Sequence, residues 1–254
     1  MNFFFGIKTN FFTSKLQIPK FRNRDVNFIK NISLYRANIK DGTWNLKDLS
    51  DTNQDDYFYY LDNTEVNNDN IFFLATNKEV LKFEKKRLLN LSNYTVTYPS
   101  FRCNFEILNN LGGFSSIQSE YPYSMINKRG NIFSPINNLL NIDAERNFLF
   151  FKNIITEPKR IKFNAYFINI KTKKIEETFE LFTNFSNLLN VNKKLIRPDI
   201  YFVSNQFLGI PMYVTIKNNH LSLEHTHPPH EYIQSPNRFD IISNIKKQIN
   251  EIFN

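Results

Sequence analysis

The chain predicts a mainly β fold, an antiparallel β-sandwich or a barrel-like variant of one, with a C-terminal α-helix packed on the sheet. Three observations carry this. Apolar and polar residues alternate with period two along many short runs, turn-forming residues separate the runs at strand-like spacing, and one segment alone has a strong helical stripe. A hydrophobic fraction of 41% over 254 residues, with Phe 27 and Tyr 12, is enough to build a self-sufficient core and excludes a disordered chain.

The start, Met1 to Lys8, is apolar but broken by Lys8 and Asn10, and no small-residue cleavage site follows. No secretory signal is expected, and a cytoplasmic location is. No apolar run reaches the roughly 18 residues that a transmembrane helix needs, so no membrane span is expected. Residues 48–70 carry Asp51, Asp55, Asp56, Asp62, Glu65 and Asp69 without a base and read as a long polar loop. The chain is therefore one β-rich domain, 1–254, with 1–70 as a candidate subregion. From Asn77 to Asn90, Val80, Leu81, Leu88 and Leu89 among charges predict a helix.

Strands dominate from there on. Phe101, Cys103, Phe105 and Ile107 share one face, with Arg102, Asn104 and Glu106 on the other. Asn147–Ile155 and Asp199–Ser204 are aromatic and β-branched runs of strand length. Ile161 to Phe167, the turn Lys171–Lys174 and Ile175 to Phe182 form a hairpin. Ile210–Lys217 and His220–Thr226 form another, joined by Asn218-Asn219, which suits a type I′ turn. At the C-terminus Ser235 caps, Pro236 fits the first helical position, and Phe239, Ile242, Ile245, Ile249 and Ile252 trace a stripe over 236–253.

Charge and motifs narrow the function. Lys+Arg 32 against Asp+Glu 24 gives a net +8, which favours encounter with anionic partners. Lys8, Lys15, Lys20, Arg22, Arg24 and Lys30 make the first thirty residues basic. The remaining bases are spread over several segments, so specific nucleic-acid recognition is not expected and weak phosphate binding is the most this pattern implies. With Gly 6 in the chain, there is no glycine-rich phosphate loop, and neither G-x-S-x-G nor H-E-x-x-H occurs. One cysteine, Cys103, excludes an internal disulfide and reads as a buried, inert thiol.

All four histidines fall between His220 and His230. By alternation Leu221, Leu223, His225 and His227 share the buried face, and imidazoles at i and i+2 can converge on one ion. Pro228-Pro229 could turn His230 or Glu231 back towards it. This predicts a mononuclear divalent metal site, Zn or Fe, from His225, His227, His230 and Glu231, and a metal-dependent enzyme as one reading. His225-Thr226-His227 followed by Glu231 also resembles the first metal motif of the cupins, where two His and a Glu hold the metal. The resemblance covers seven residues and lacks the flanking glycines, so it is not extended to the family. A second constellation, Arg102, Gln118, Glu120 and Tyr121, has the amide, charged and aromatic groups that hold a sugar or other small polyol. It supports the alternative reading, a non-catalytic glycan- or protein-binding module with structural histidines.

Overall fold

A computed structural model describes residues 2–20, 32–81, 85–88, 102–122, 125–127, 132–225 and 234–253. The alternating runs and tight turns fold as antiparallel strands, as short connections require. The first half holds β1 (Asn2–Phe3), β2 (Phe12–Pro19), β3 (Ile32–Lys40), β4 (Thr43–Asp48), β5 (Phe58–Leu61), β6 (Ile71–Thr76), the single turn α1 (Asn77–Val80), β7 (Cys103–Asn109), β8 (Phe114–Ser119) and β9 (Tyr121–Pro122). The second half holds β10 (Ile132–Pro135), β11 (Arg146–Lys152), β12 (Lys162–Asn169), β13 (Lys174–Phe182), β14 (Ser186–Asn190), β15 (Ile200–Ser204), β16 (Ile210–Lys217), β17 (His220–His225) and α2 (Arg238–Phe253).

Four main sheets result. Sheet I is β4-β3-β6, sheet II β5-β2-β7-β8, sheet III β14-β11-β16-β17 and sheet IV β10-β15-β12-β13; β1 and β9 make a small fifth pair. The two halves share one wiring. Sheets III and II match when each number in sheet II is raised by nine, and so do sheets IV and I. The strand missing from sheet I is supplied by the end of β1, because Phe4 exchanges two backbone hydrogen bonds of 2.8 Å with Phe72 of β6. The same eight-strand sandwich therefore occurs twice, at a spacing far longer than any solenoid repeat.

Side chains join the layers. Tyr59 on sheet II donates its hydroxyl to the Ile32 carbonyl of sheet I at 3.2 Å. Sheet II meets sheet III through Phe12–Phe148 and Phe105–Phe150, with ring centroids 5.1 and 6.3 Å apart. Phe151 then reaches across from sheet III to Phe163 and Phe202 of sheet IV. Finally α2 lays Ile242, Ile245, Ile249 and Ile252 over Ile168 and Val203 on the outer face of sheet IV. The two hairpin tips also touch. A Cβ on Gly113, whose φ is +84°, would lie 2.5 Å from the Asn219 carbonyl oxygen, so the β7–β8 turn needs glycine there.

Most sequence expectations meet their element. Asn218 and Asn219 have φ of +51° and +63°, as a type I′ turn demands. Ser235 accepts the Asn237 N–H on its hydroxyl at 3.2 Å. Three expectations are corrected. The helix over Asn77–Asn90 is the single turn α1 among the described residues. Leu81 after it is 86% exposed, and the Leu88 N–H bonds the Thr156 carbonyl instead of a helical partner. The acidic stretch 48–70 is not all loop, since it contains β5. Phe239 leaves the C-terminal stripe and is 63% exposed.

Candidate functional site

The metal centre is not borne out. Among the described residues no three His, Cys, Asp or Glu side chains are grouped to hold an ion. His220 and His225 stand at opposite ends of β17, roughly 17 Å apart at strand rise, and on opposite faces. His225 does share the face of Leu221 and Leu223 and is half-buried. His227, His230 and Glu231 lie outside the described residues. Of the expected ligands His225 alone lies among the described residues, and it belongs to no group of three that could hold an ion.

A different site emerges from sheet II. One of its faces is apolar and packed; the other is polar and open, because β7 and β8 alternate residue by residue. Cross-strand register then aligns Tyr60, Gln17, Asn104 and Gln118 in one row over all four strands, at about 4.8 Å per step. The next row holds Lys15, Glu106 and Ser116, with Lys15 Nζ 3.7 Å from Glu106 Oε1.

Two loops wall this face into a cleft of about 560 Å³ lined by Lys15, Gln17, Asp51, Asn53, Tyr60, Asp62, Glu65, Asn104 and Glu106, among others. One wall is held by the Tyr60 N–H donating to the Asn53 carbonyl at 2.8 Å. The other is braced by Thr64, whose amide N–H donates to Asp62 Oδ1 at 2.8 Å. The Thr64 hydroxyl sits 2.8 Å from the same oxygen and 2.7 Å from Glu65 Oε2. These bonds hold the Asp62 carboxyl below its ordinary range. The Tyr60 hydroxyl donates to Asp55 Oδ2 at 2.6 Å, which lowers the Asp55 carboxyl and raises the Tyr60 phenol.

No family model, curated protein or solved structure matches the chain. The site has to be read from its own chemistry. Four carboxylates and one ammonium line the cleft, so it is acidic on a basic protein. Its floor is dominated by amides and a phenol, which present paired donors and acceptors to a neutral polar ligand.

The structure divides the second constellation. Gln118 belongs to the amide row. Arg102 and Glu120 are paired with each other at 3.3 Å. Tyr121 is fully buried beside Phe5, and its hydroxyl accepts the Ile154 N–H at 3.1 Å, so it braces the core and does not reach the open face. Sequence reasoning missed Gln17, Tyr60 and the loop acids, whose neighbourhood depends on pairing between strands distant in the chain. The visible signal was the outward face of β7, where Asn104 and Glu106 alternate with core residues.

Other groups are accounted for structurally. Cys103 is buried, bonds the Ser119 carbonyl at 3.1 Å, and burial raises its thiol pKa. In the basic N-terminal stretch, Lys8 bonds the Asn63 carbonyl and Lys20 bonds the Gln54 side chain, while Arg22, Arg24 and Lys30 lie outside the described residues. Lys152, fully buried where the halves meet, donates to the Asn68 carbonyl at 3.2 Å. Burial pulls its pKa down to about 7. Among the described residues no helix is long and apolar enough to cross a membrane.

Proposed function

We propose that the protein is a non-catalytic binding module that takes a neutral saccharide in the cleft of sheet II. The supporting observation is the row Tyr60, Gln17, Asn104 and Gln118, four hydrogen-bonding side chains placed by register on an open pleated face. Amide side chains pair well with hydroxyl and acetamido groups, offering donor and acceptor together. Because carboxylates outnumber the single ammonium in the cleft, uronic, sulfated and phosphorylated ligands, nucleic acid included, are disfavoured there. The Thr64 hydrogen bonds push the Asp62 carboxyl downwards, which suits a fixed acceptor for sugar hydroxyls and not a general acid at neutral pH.

The test is binding of the purified protein to an array of neutral, N-acetylated and anionic glycans, repeated with Gln17→Ala/Asn104→Ala. Retention of neutral or N-acetylated glycans that the double variant loses by about 10-fold or more in affinity supports the reading. An array with no neutral glycan above background, or a preference for anionic ones, overturns it.

A further inference from the structure

The cleft stops at β7, but the face does not. One strand further on, β8 turns Phe114, Ser116 and Gln118 to the same side, all exposed. Phe114 pairs with Leu108, while Glu106 pairs with Ser116, so Phe114 is the diagonal neighbour of Glu106 at roughly 7–8 Å. It is 65% exposed at the open rim of the cleft. An aromatic ring so exposed gains nothing from the core. Beside hydrogen-bonding groups it offers a flat apolar surface to the C–H face of a sugar ring.

The geometry points to an extended site for an oligosaccharide of N-acetylated hexosamines, in which the Phe114 end of β8 forms a second subsite outside the walled cleft. This rests on the saccharide reading above and adds the length and kind of ligand. The length follows from the layout. The row from Tyr60 to Gln118 spans roughly 14 Å across four strands, and Phe114 lies about 13 Å from its Gln118 end, along β8 and at right angles to the row, too far for one ring to touch both ends. The acetamido preference follows from the side chains. Gln17, Asn104 and Gln118 are primary amides, each able to donate to an acetamido carbonyl or to accept from an acetamido N–H, so neighbouring amides of the row can serve the two ends of one such group. The acidic lining of the cleft disfavours a chain bearing carboxylates or sulfates.

Mono-, di- and tetrasaccharides of β-1,4-linked N-acetylglucosamine, titrated calorimetrically into the full chain, test the inference. The tetrasaccharide is expected to bind about 10-fold tighter than the monosaccharide. Phe114→Ala should remove most of that gain, leave monosaccharide affinity unchanged, and be rescued by Phe114→Trp. Equal affinity at every length, or a length dependence that Phe114→Ala does not alter, overturns the extended site and leaves the cleft reading standing. If no member binds but another neutral glycan does, the acetamido preference falls. If no neutral glycan binds, the saccharide reading falls and takes this inference with it.

Discussion

Sheets II and III have the same strand order, yet their strands live in different surroundings. In sheet II, β7 alternates between core and solvent: Cys103, Phe105 and Ile107 inward, Asn104 and Glu106 outward. In sheet III, β11 is buried from Asn147 to Lys152, and β16 from Pro211 to Ile216, because sheet II covers one face and sheet IV the other. The sequences follow the covering and not the wiring: alternation where one face is wet, a continuous apolar run where neither is. A fold used twice has thus divided its labour. The sheet whose central strands are covered on both sides supplies cohesion, and the sheet left open on one side is where a ligand can be met.

The difference can be tested by substitution. The largest effect is expected at Phe150, which packs on Phe105 and Phe5 between the two sheets. Phe150→Ala should cost about 3–5 kcal/mol in chemical denaturation. A loss under 1 kcal/mol would mean that the two sheets do not depend on each other.

Next comes Lys152, whose side chain is the cationic exception in the doubly covered sheet. Its pKa is about 7 when folded and 10.5 when free, so between those values the unfolded chain binds more protons than the native one. Native stability should therefore rise with pH from about 7 towards 10.5 and be insensitive to this group below 7. Lys152→Met should flatten that rise and add roughly 1–4 kcal/mol at pH 7. The Asn68 carbonyl keeps a partner in the variant, since it also accepts the Ser186 N–H at 2.9 Å. An unchanged slope in the difference between wild type and variant would contradict the burial argument.

The smallest effect belongs to the open face. Gln17→Ala and Asn104→Ala should each change stability by no more than about 0.5 kcal/mol, whatever they do to binding. A loss several times larger would make the amide row structural.

What could be read from the sequence follows from the range of the forces involved. The β7 alternation, the Asn218-Asn219 turn and the Ile stripe of α2 are local patterns, and each was legible. The helix expected over Asn77–Asn90 was not sustained, because an apolar stripe forms a helix only if something packs on it, and Leu81 points into solvent. β5 was hidden because four residues among aspartates carry too little periodicity to be seen alone; it is made by pairing with β2. The cleft was illegible for the same reason. Tyr60, Gln17 and Asn104 become neighbours only through long-range register. The metal centre expected from the histidine run is not formed among the described residues, where His225 alone of its expected ligands stands.

The repeated wiring also bears on how the chain reaches this state. Each strand has, in the other half, a topologically equivalent place that it could occupy during folding, an invitation to misassembly in tandem folds. Here the exchange is penalised. If β7 were to take the place of β16, Asn104 and Glu106 would be sealed between two sheets without water, a cost of several kcal/mol for the carboxylate alone. The hydrophilic face of sheet II thus serves as an address that directs each half to its own partner strands before any ligand arrives.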